Sequence, residues 1–255
     1  MATFWQIVND VIKKADILLI LLDARCVDKT RNSEVESKVN HSGKPLIYVI
    51  TKCDLVEKDT LEHYKQELHP CVFISSTTYA GLSLLKERIF IESKKIKSLG
   101  HEIYVGVIGY PNTGKSSLIN AMTGRGVASK SPISGWTRSV KKICGTSGLI
   151  FLDTPGVIPV KETDTILHGV IGAIDSSKIK DIDLVVIRII QERPGVIEEF
   201  YGVKPHNDQE DTVAEIALKK NLILKGGEPD ISRAYTLILR DWQTGKISAK
   251  GLSKK

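Results

Sequence analysis

The stretch "GYPNTGKSS", Gly109 to Ser117, carries the plainest chemistry in the chain. Two glycines, a lysine and a serine stand at the spacing G-x-x-x-x-G-K-S. They follow an apolar run, "IYVGVIG", and precede a helical one. Glycines let backbone N–H groups approach phosphate oxygens, and a helix N-terminus adds partial positive charge. In such a loop Asn112, Thr113, Gly114, Lys115, Ser116 and Ser117 face the phosphates of a nucleotide. Lys115 reaches the outer two, and the Ser116 hydroxyl binds Mg²⁺. Further on, "LIFLDTPG" sets Asp153 at a strand end, where a carboxylate can hold the Mg²⁺ water shell; the Gly156 N–H can meet the terminal phosphate. Between these motifs Thr137, in "SPISGWTRSV", stands where a switch threonine contacts the same ion.

A second constellation lies upstream, in "YVITKCDLVEK". Thr51, Lys52 and Asp54 form a tetrapeptide, with Cys53, that looks like the guanine reader of GTPases. A carboxylate at Asp54 accepts from guanine N1–H and N2–H₂; adenine has neither donor and leaves it desolvated and unpaired. The Lys52 stem can lie along the ring face. Backbone N–H groups of "FISSTT", at Ser75, Ser76 and Thr77, can meet guanine O6.

The elements that must position these groups are legible as a pattern. Apolar, β-branched runs at 16–24, 45–51, 71–76 and 103–110 alternate with helical periodicity at 61–68 and 82–96. That alternation predicts an α/β fold with a mostly parallel sheet and helices on both faces. "KSLGHE" (97–102) reads as a connector, and the helix opened by Lys115 closes at Gly124. "VKKICG" and "LIFLDT" form a hairpin pair. From about Asp164 helical patterns take over, at 164–175, 183–191, 195–201, 209–220 and 230–241. The expected organisation is a nucleotide-binding domain over residues 1–177 and a small all-α domain over 178–255.

Composition narrows the class. A chain of 255 residues, 42% hydrophobic and 26% charged, can bury a sizeable core, and no apolar run reaches membrane-spanning length. The opening "MATFWQIVND" has no basic n-region or long apolar h-region, so a cytoplasmic location is expected. The four cysteines lack zinc or disulfide-framework spacing and read as thiols in a reducing compartment. The net charge of +6 is uneven: between Lys94 and Lys142 nine basic residues face one acid, Glu102. Such a cluster suits a polyanion, or serves solubility alone. Trp136 and Trp242, beside basic residues, fit either RNA stacking or a core position. With no long heptad or exposed apolar stripe, a monomer is expected.

The motifs run in the order base reader, base loop, phosphate loop, switch, D-x-x-G. Ordinary GTPases run phosphate loop, switch, D-x-x-G, base reader, base loop; rotating one list gives the other. In an open α/β sheet all these loops leave the carboxyl ends of strands, so a site survives cutting the chain elsewhere. The arrangement resembles the YlqF/YawG family of circularly permuted GTPases, and further stretches share the likeness: "LDAR" (22–25), "VIGAI" (170–174), "FYG" (200–202) and "LKGGEPDISRAYTLILRDWQTGKIS".

The resemblance implies a circularly permuted GTPase domain followed by helices, hydrolysing GTP as a switch in assembly of the large ribosomal subunit. It implies docking on rRNA or ribosomal protein, and K⁺ stimulation through a phosphate-loop asparagine, matched by Asn112; as a turn residue, Asn112 also needs no such role. Val157 stands where Ras-like enzymes carry a water-orienting glutamine, so a low intrinsic rate is expected. "MATFWQ" lacks the Pro-Gly-His histidine of bacterial members, and His168 reads as a surface residue, a poor substitute. A GTP-binding scaffold without productive hydrolysis, or a GTPase with another RNA client, fits the same residues.

Overall fold

The run "ILLILLD" forms the first strand, β1 (Ile17–Asp23), buried at every residue. Its alternate side chains feed two cores. Leu18, Ile20 and Leu22 pack with Val8, Val11, Val35 and Val39 on one face, and Ile17, Leu19 and Leu21 with Leu85, Ile89, Leu118 and Ile119 on the other. A strand covered on both faces loses its polar alternation, hence the continuous apolar run. The computed structural model describes residues 4–96, 102–124, 141–145, 148–154 and 164–248.

The other strands are β2 (Leu46–Thr51), β3 (Cys71–Phe73), β4 (Ile103–Gly109), β5 (Lys141–Cys144) and β6 (Leu149–Asp153). Their order across the sheet is β3-β2-β1-β4-β6-β5, parallel except for the antiparallel β5–β6 hairpin. From β1 the chain moves outward to β2 and β3; from β4 it moves the other way. The β1/β4 boundary is therefore a topological switch point, where loops diverge and leave a crevice at the strands' carboxyl ends.

Helices α1 (Phe4–Lys14), α2 (Val27–Thr30), α3 (Ser33–His41), α4 (Tyr64–Glu67), α5 (Leu82–Ser93) and α6 (Lys115–Thr123) complete this unit. Lys13 and Lys14 close α1, where cations favour the helix dipole. Asn32 caps α3 by accepting from the Val35 N–H at 3.0 Å. Where α1 crosses β4, Gly106 leaves no room for a side chain: a Cβ there would stand 2.7 Å from Val11 Cγ1 and 2.9 Å from Leu18 Cδ2. Gly106→Val is expected to lower unfolding free energy by about 1–3 kcal/mol through overpacking. Urea unfolding measures this, and an unchanged midpoint would refute the contact.

The chain divides into two compact units, 1–163 and 164–255. The second contains α7 (Thr165–Val170), α8 (Ile182–Glu192), α9 (Val196–Tyr201), α10 (Gln209–Lys219) and α11 (Ile231–Gln243). Asp164, Asp208 and Asp230 cap α7, α10 and α11 with side-chain oxygens. The units part earlier than the expected 177/178 division because Val170 and Ile166 pack with Val185 and Ile189 of α8. Trp242 takes the core alternative: it is buried, and its Nε1 donates to the Val170 carbonyl at 2.8 Å. His168, expected at the surface, is buried at 4% exposure on the inner side of α7. No helix among the described residues is long and apolar enough to cross a membrane.

Candidate functional site

Strand β4 delivers the phosphate loop to the switch point. Gly109 passes so close to β1 that a Cβ would stand 2.9 Å from both the Leu21 carbonyl oxygen and Thr113 Oγ1. Two left-handed residues, Asn112 at φ 60° and Gly114 at φ 92°, then turn the chain into α6. Thr113 is fully buried and donates to the Tyr110 carbonyl at 2.8 Å, bracing the turn. Ser116 and Ser117 are half-buried in the first turn of α6. Lys115 folds back onto its own loop, its Nζ donating to the Gly109 carbonyl at 2.8 Å and to the Tyr110 carbonyl. Burial pushes its pKa down to about 7; the Lys52 charge acts in the same sense, and Asp153 opposes both.

Asp153, ending β6, is 1% exposed, and burial pushes its pKa up against the charges of Lys115 and Lys141. Its Oδ1 finds no hydrogen-bond donor among the described residues. A buried, unpaired carboxylate oxygen beside a phosphate loop fits Mg²⁺, which takes one or two carboxylates together with substrate phosphates. No cluster of three or more His, Cys, Asp or Glu among the described residues forms a metal centre by itself. The next residue, Thr154, donates to the Val107 carbonyl at 2.7 Å and ties this strand end to β4. Thr137, Gly156, Val157 and Trp136 lie outside the described residues.

The residues expected to read the base stand at the ends of β2 and β3. Asp54, in a short 3-10 turn over Cys53–Leu55, accepts at Oδ2 from the Thr77 hydroxyl at 3.1 Å. Ser75 Oγ pairs with Thr77 Oγ1 at 2.9 Å and accepts from the Thr78 N–H at 3.1 Å, while Ser76 is half-buried beside them. The loop closes at Gly81, φ 76°, where a Cβ would stand 2.0 Å from the Phe73 carbonyl oxygen. Thr51 faces inward at 2% exposure, and its hydroxyl bonds the Leu22 carbonyl at 3.0 Å and the Thr113 carbonyl at 2.7 Å. One side chain thus joins the base-reading strand, β1 and the phosphate loop.

Sequence reasoning missed what holds Lys52. Asp23, at 0% exposure, accepts the Lys52 ammonium on Oδ2 at 2.6 Å and the Arg25 guanidinium on both oxygens, at 3.0 and 2.8 Å. Burial raises a carboxylate's pKa, but here Arg25 and Lys52 outweigh it and hold Asp23 well below the usual range. The signal was present in "LDAR", without anything in the sequence to say which residue it serves.

The family model described as "50S ribosome-binding GTPase" matches residues 104–224. An uncharacterized GTP-binding protein of Methanocaldococcus jannaschii is 35% identical over 249 residues, covering 95% of this chain and 65% of that protein. Nuclear/nucleolar GTPase 2 of Arabidopsis thaliana is 32% identical over 255 residues, covering 95% of this chain and 43% of its own length. The chain thus spans less than two thirds of these relatives. The crystal structure of GNP-bound YlqF from T. maritima superposes with a TM-score of 0.65 at 21% identity, covering 95% of this chain and 94% of that one, a likeness of fold. Sheet order and motif order together define a circularly permuted P-loop GTPase fold. In sequence the chain is similar to these GTP-binding proteins, and it shares the fold of YlqF.

Proposed function

We propose that this chain hydrolyses GTP as a molecular switch in assembly of the large ribosomal subunit. The observation that carries the reading is the Thr51 hydroxyl on the Thr113 carbonyl, which joins a guanine-type reader to a phosphate loop at one switch point. The ribosomal part is supported by the family description and by relatives named as nuclear and nucleolar GTPases.

In this reading Asp54 accepts from the guanine edge, and the amides of Ser75, Ser76 and Thr77 face its O6. Lys115 turns from the Gly109 and Tyr110 carbonyls to the β- and γ-phosphates. The amides of Asn112, Thr113, Gly114, Ser116 and Ser117 complete the cradle and stabilise charge as the γ-phosphoryl leaves. Ser116, Thr137 and Asp153 would hold Mg²⁺, which would supply neutralisation of developing phosphate charge. Gly156 meets the γ-phosphate. Val157 cannot orient water, so free turnover is slow and a group supplied by the ribosomal partner completes the site. Asn112 would hold a K⁺ ion. Exposed Lys141 and Lys142, on edge strand β5, offer positive charge to rRNA phosphates and keep the edge from pairing with another sheet.

The test is GTP turnover in potassium and in sodium buffer, with and without purified large ribosomal subunits. Stimulation by the subunits, about tenfold or more and lost in Lys115→Ala, is the expected result, with the higher rate in potassium. Stimulation by another RNA particle instead moves the client. Bound GTP with no phosphate release under any condition supports the scaffold reading that Val157 favours.

A further inference from the structure

The buried ion cluster of Asp23, Arg25 and Lys52 lies outside the phosphate loop, and its geometry is specific. Asp23 ends β1 and pairs in register with Thr51 on β2, so Lys52 begins directly beside it. Lys52 is held at φ 58°, a left-handed conformation that a non-glycine residue adopts at a cost. That backbone turn accompanies the 2.6 Å contact of its ammonium with Asp23 Oδ2. The carboxylate is itself locked: Arg25 Nε and backbone N–H both donate to Oδ1 at 3.0 Å, and Arg25 NH2 donates to Oδ2 at 2.8 Å. The turn behind it is closed by Thr30, whose Oγ1 accepts from the Asp23 N–H at 3.1 Å and donates to the Cys26 carbonyl at 2.9 Å.

We propose that Asp23, fixed by Arg25, is the positioning residue for nucleotide-base binding: it anchors the far end of Lys52 so that the lysine stem forms a preset platform for the purine face. The inference rests on the guanine-nucleotide reading above and adds to it a division of labour. Asp54 tells guanine from adenine by its edge. Asp23, acting through Lys52, sets how tightly any purine accepted at that edge is held. An ammonium free to move would have to be immobilised at binding; one already clamped by a buried carboxylate is not, and the affinity gained is the ordering entropy avoided.

The experiment is a binding cycle with fluorescent GDP and IDP, the latter lacking the guanine 2-amino group, on wild type, Asp23→Asn, Lys52→Met and the double variant. Asp23→Asn is expected to weaken both nucleotides by about tenfold, in equal proportion, the scale of ordering one long side chain at binding. Lys52→Met, which keeps a stem without its charge, is expected to weaken them similarly. In the Lys52→Met background Asp23→Asn should then add less than about twofold, because its route to the base is gone. Equal losses in both backgrounds would make Asp23 merely structural and overturn the proposal, as would wild-type affinity in a folded Asp23→Asn. If Asp23→Asn does not fold, Asp23→Glu, which retains the charge but shifts it, runs the same cycle under the same criteria. Failure of the wild-type protein to prefer GDP over ADP would instead remove the guanine reading, so the two failures are distinguishable.

Discussion

Asp54→Asn is expected to weaken GDP binding by about 10²–10³-fold and to give a protein that prefers XDP. In the proposed site the carboxylate of Asp54 offers acceptors only, which would match two guanine donors. An amide presents one acceptor and one donor, so its NH₂ meets a guanine N–H and both are left desolvated and unpaired. Xanthine has a carbonyl in place of the 2-amino group, and the new donor then has a partner. The setting favours a clean outcome: Asp54 Oδ2 is held by Thr77 Oγ1 at 3.1 Å, a hydroxyl that can donate to an amide oxygen as well as to a carboxylate. The surrounding turn should therefore stay in place. Competition of GDP and XDP for the same fluorescent nucleotide measures the swap. Unchanged GDP affinity would mean that the base lies elsewhere.

The phosphate loop was legible because its chemistry demands particular residue types at fixed spacing, and β1 and β4 because burial on both faces leaves no polar residue to confuse the pattern. Other parts were not legible, for physical reasons that differ from case to case. Helix α3 shows only Val35 and Val39 on its apolar side, too few to announce a helix by period. Thr51 was expected to touch guanine; its hydroxyl instead bonds Leu22 and Thr113, partners far away in sequence that only the sheet order brings near. Asp23 looked like part of a motif with no client until the left-handed turn at Lys52 carried the ammonium to it. His168 sits on the same short helix as Ile166 and Val170, and a six-residue helix gives too little period to tell its inner side from its outer.

Permutation matters less to this site than the connectivity suggests. The groups that would hold a nucleotide come from the carboxyl ends of β2, β3, β4 and β6, and three hydrogen bonds tie those ends together without using chain continuity. Thr51 joins β2 to the loop after β4, Thr154 joins β6 to β4, and the Cys53 N–H reaches the Ile74 carbonyl after β3 at 3.2 Å. Each joins the end of one strand to the end of another, or to the loop that leaves it, and would be the same whichever loop held the termini, so the cut can move while the crevice stays.

Lys115 is expected to make nucleotide binding fall with rising pH. In the free protein its pKa is about 7 instead of 10.5, because burial removes hydration from the ammonium. Phosphates restore a counter-charge and raise it again in the complex. Below pH 7 both states carry the proton and affinity is flat. Above it the free protein has lost a proton that the complex keeps, so binding takes one up. Each pH unit then costs up to about tenfold in affinity, the equivalent of one proton. Between pH 7.5 and 8.5, GDP affinity should drop by about that factor, and calorimetry in buffers of different ionisation enthalpy should report uptake of nearly one proton. Lys115→Ala should lose about 10²–10³-fold in GTP affinity at pH 7 and show no such slope, whereas Lys115→Arg, always charged, should bind without the slope. The ligand-free protein should respond in the opposite direction. There the unfolded chain holds the Lys115 proton up to 10.5 and the folded chain only to about 7, so stability relative to Lys115→Met should rise with pH across that window. A flat affinity profile together with a flat stability difference would show that Lys115 is hydrated in the free protein, and that the two carbonyl contacts do not bury it.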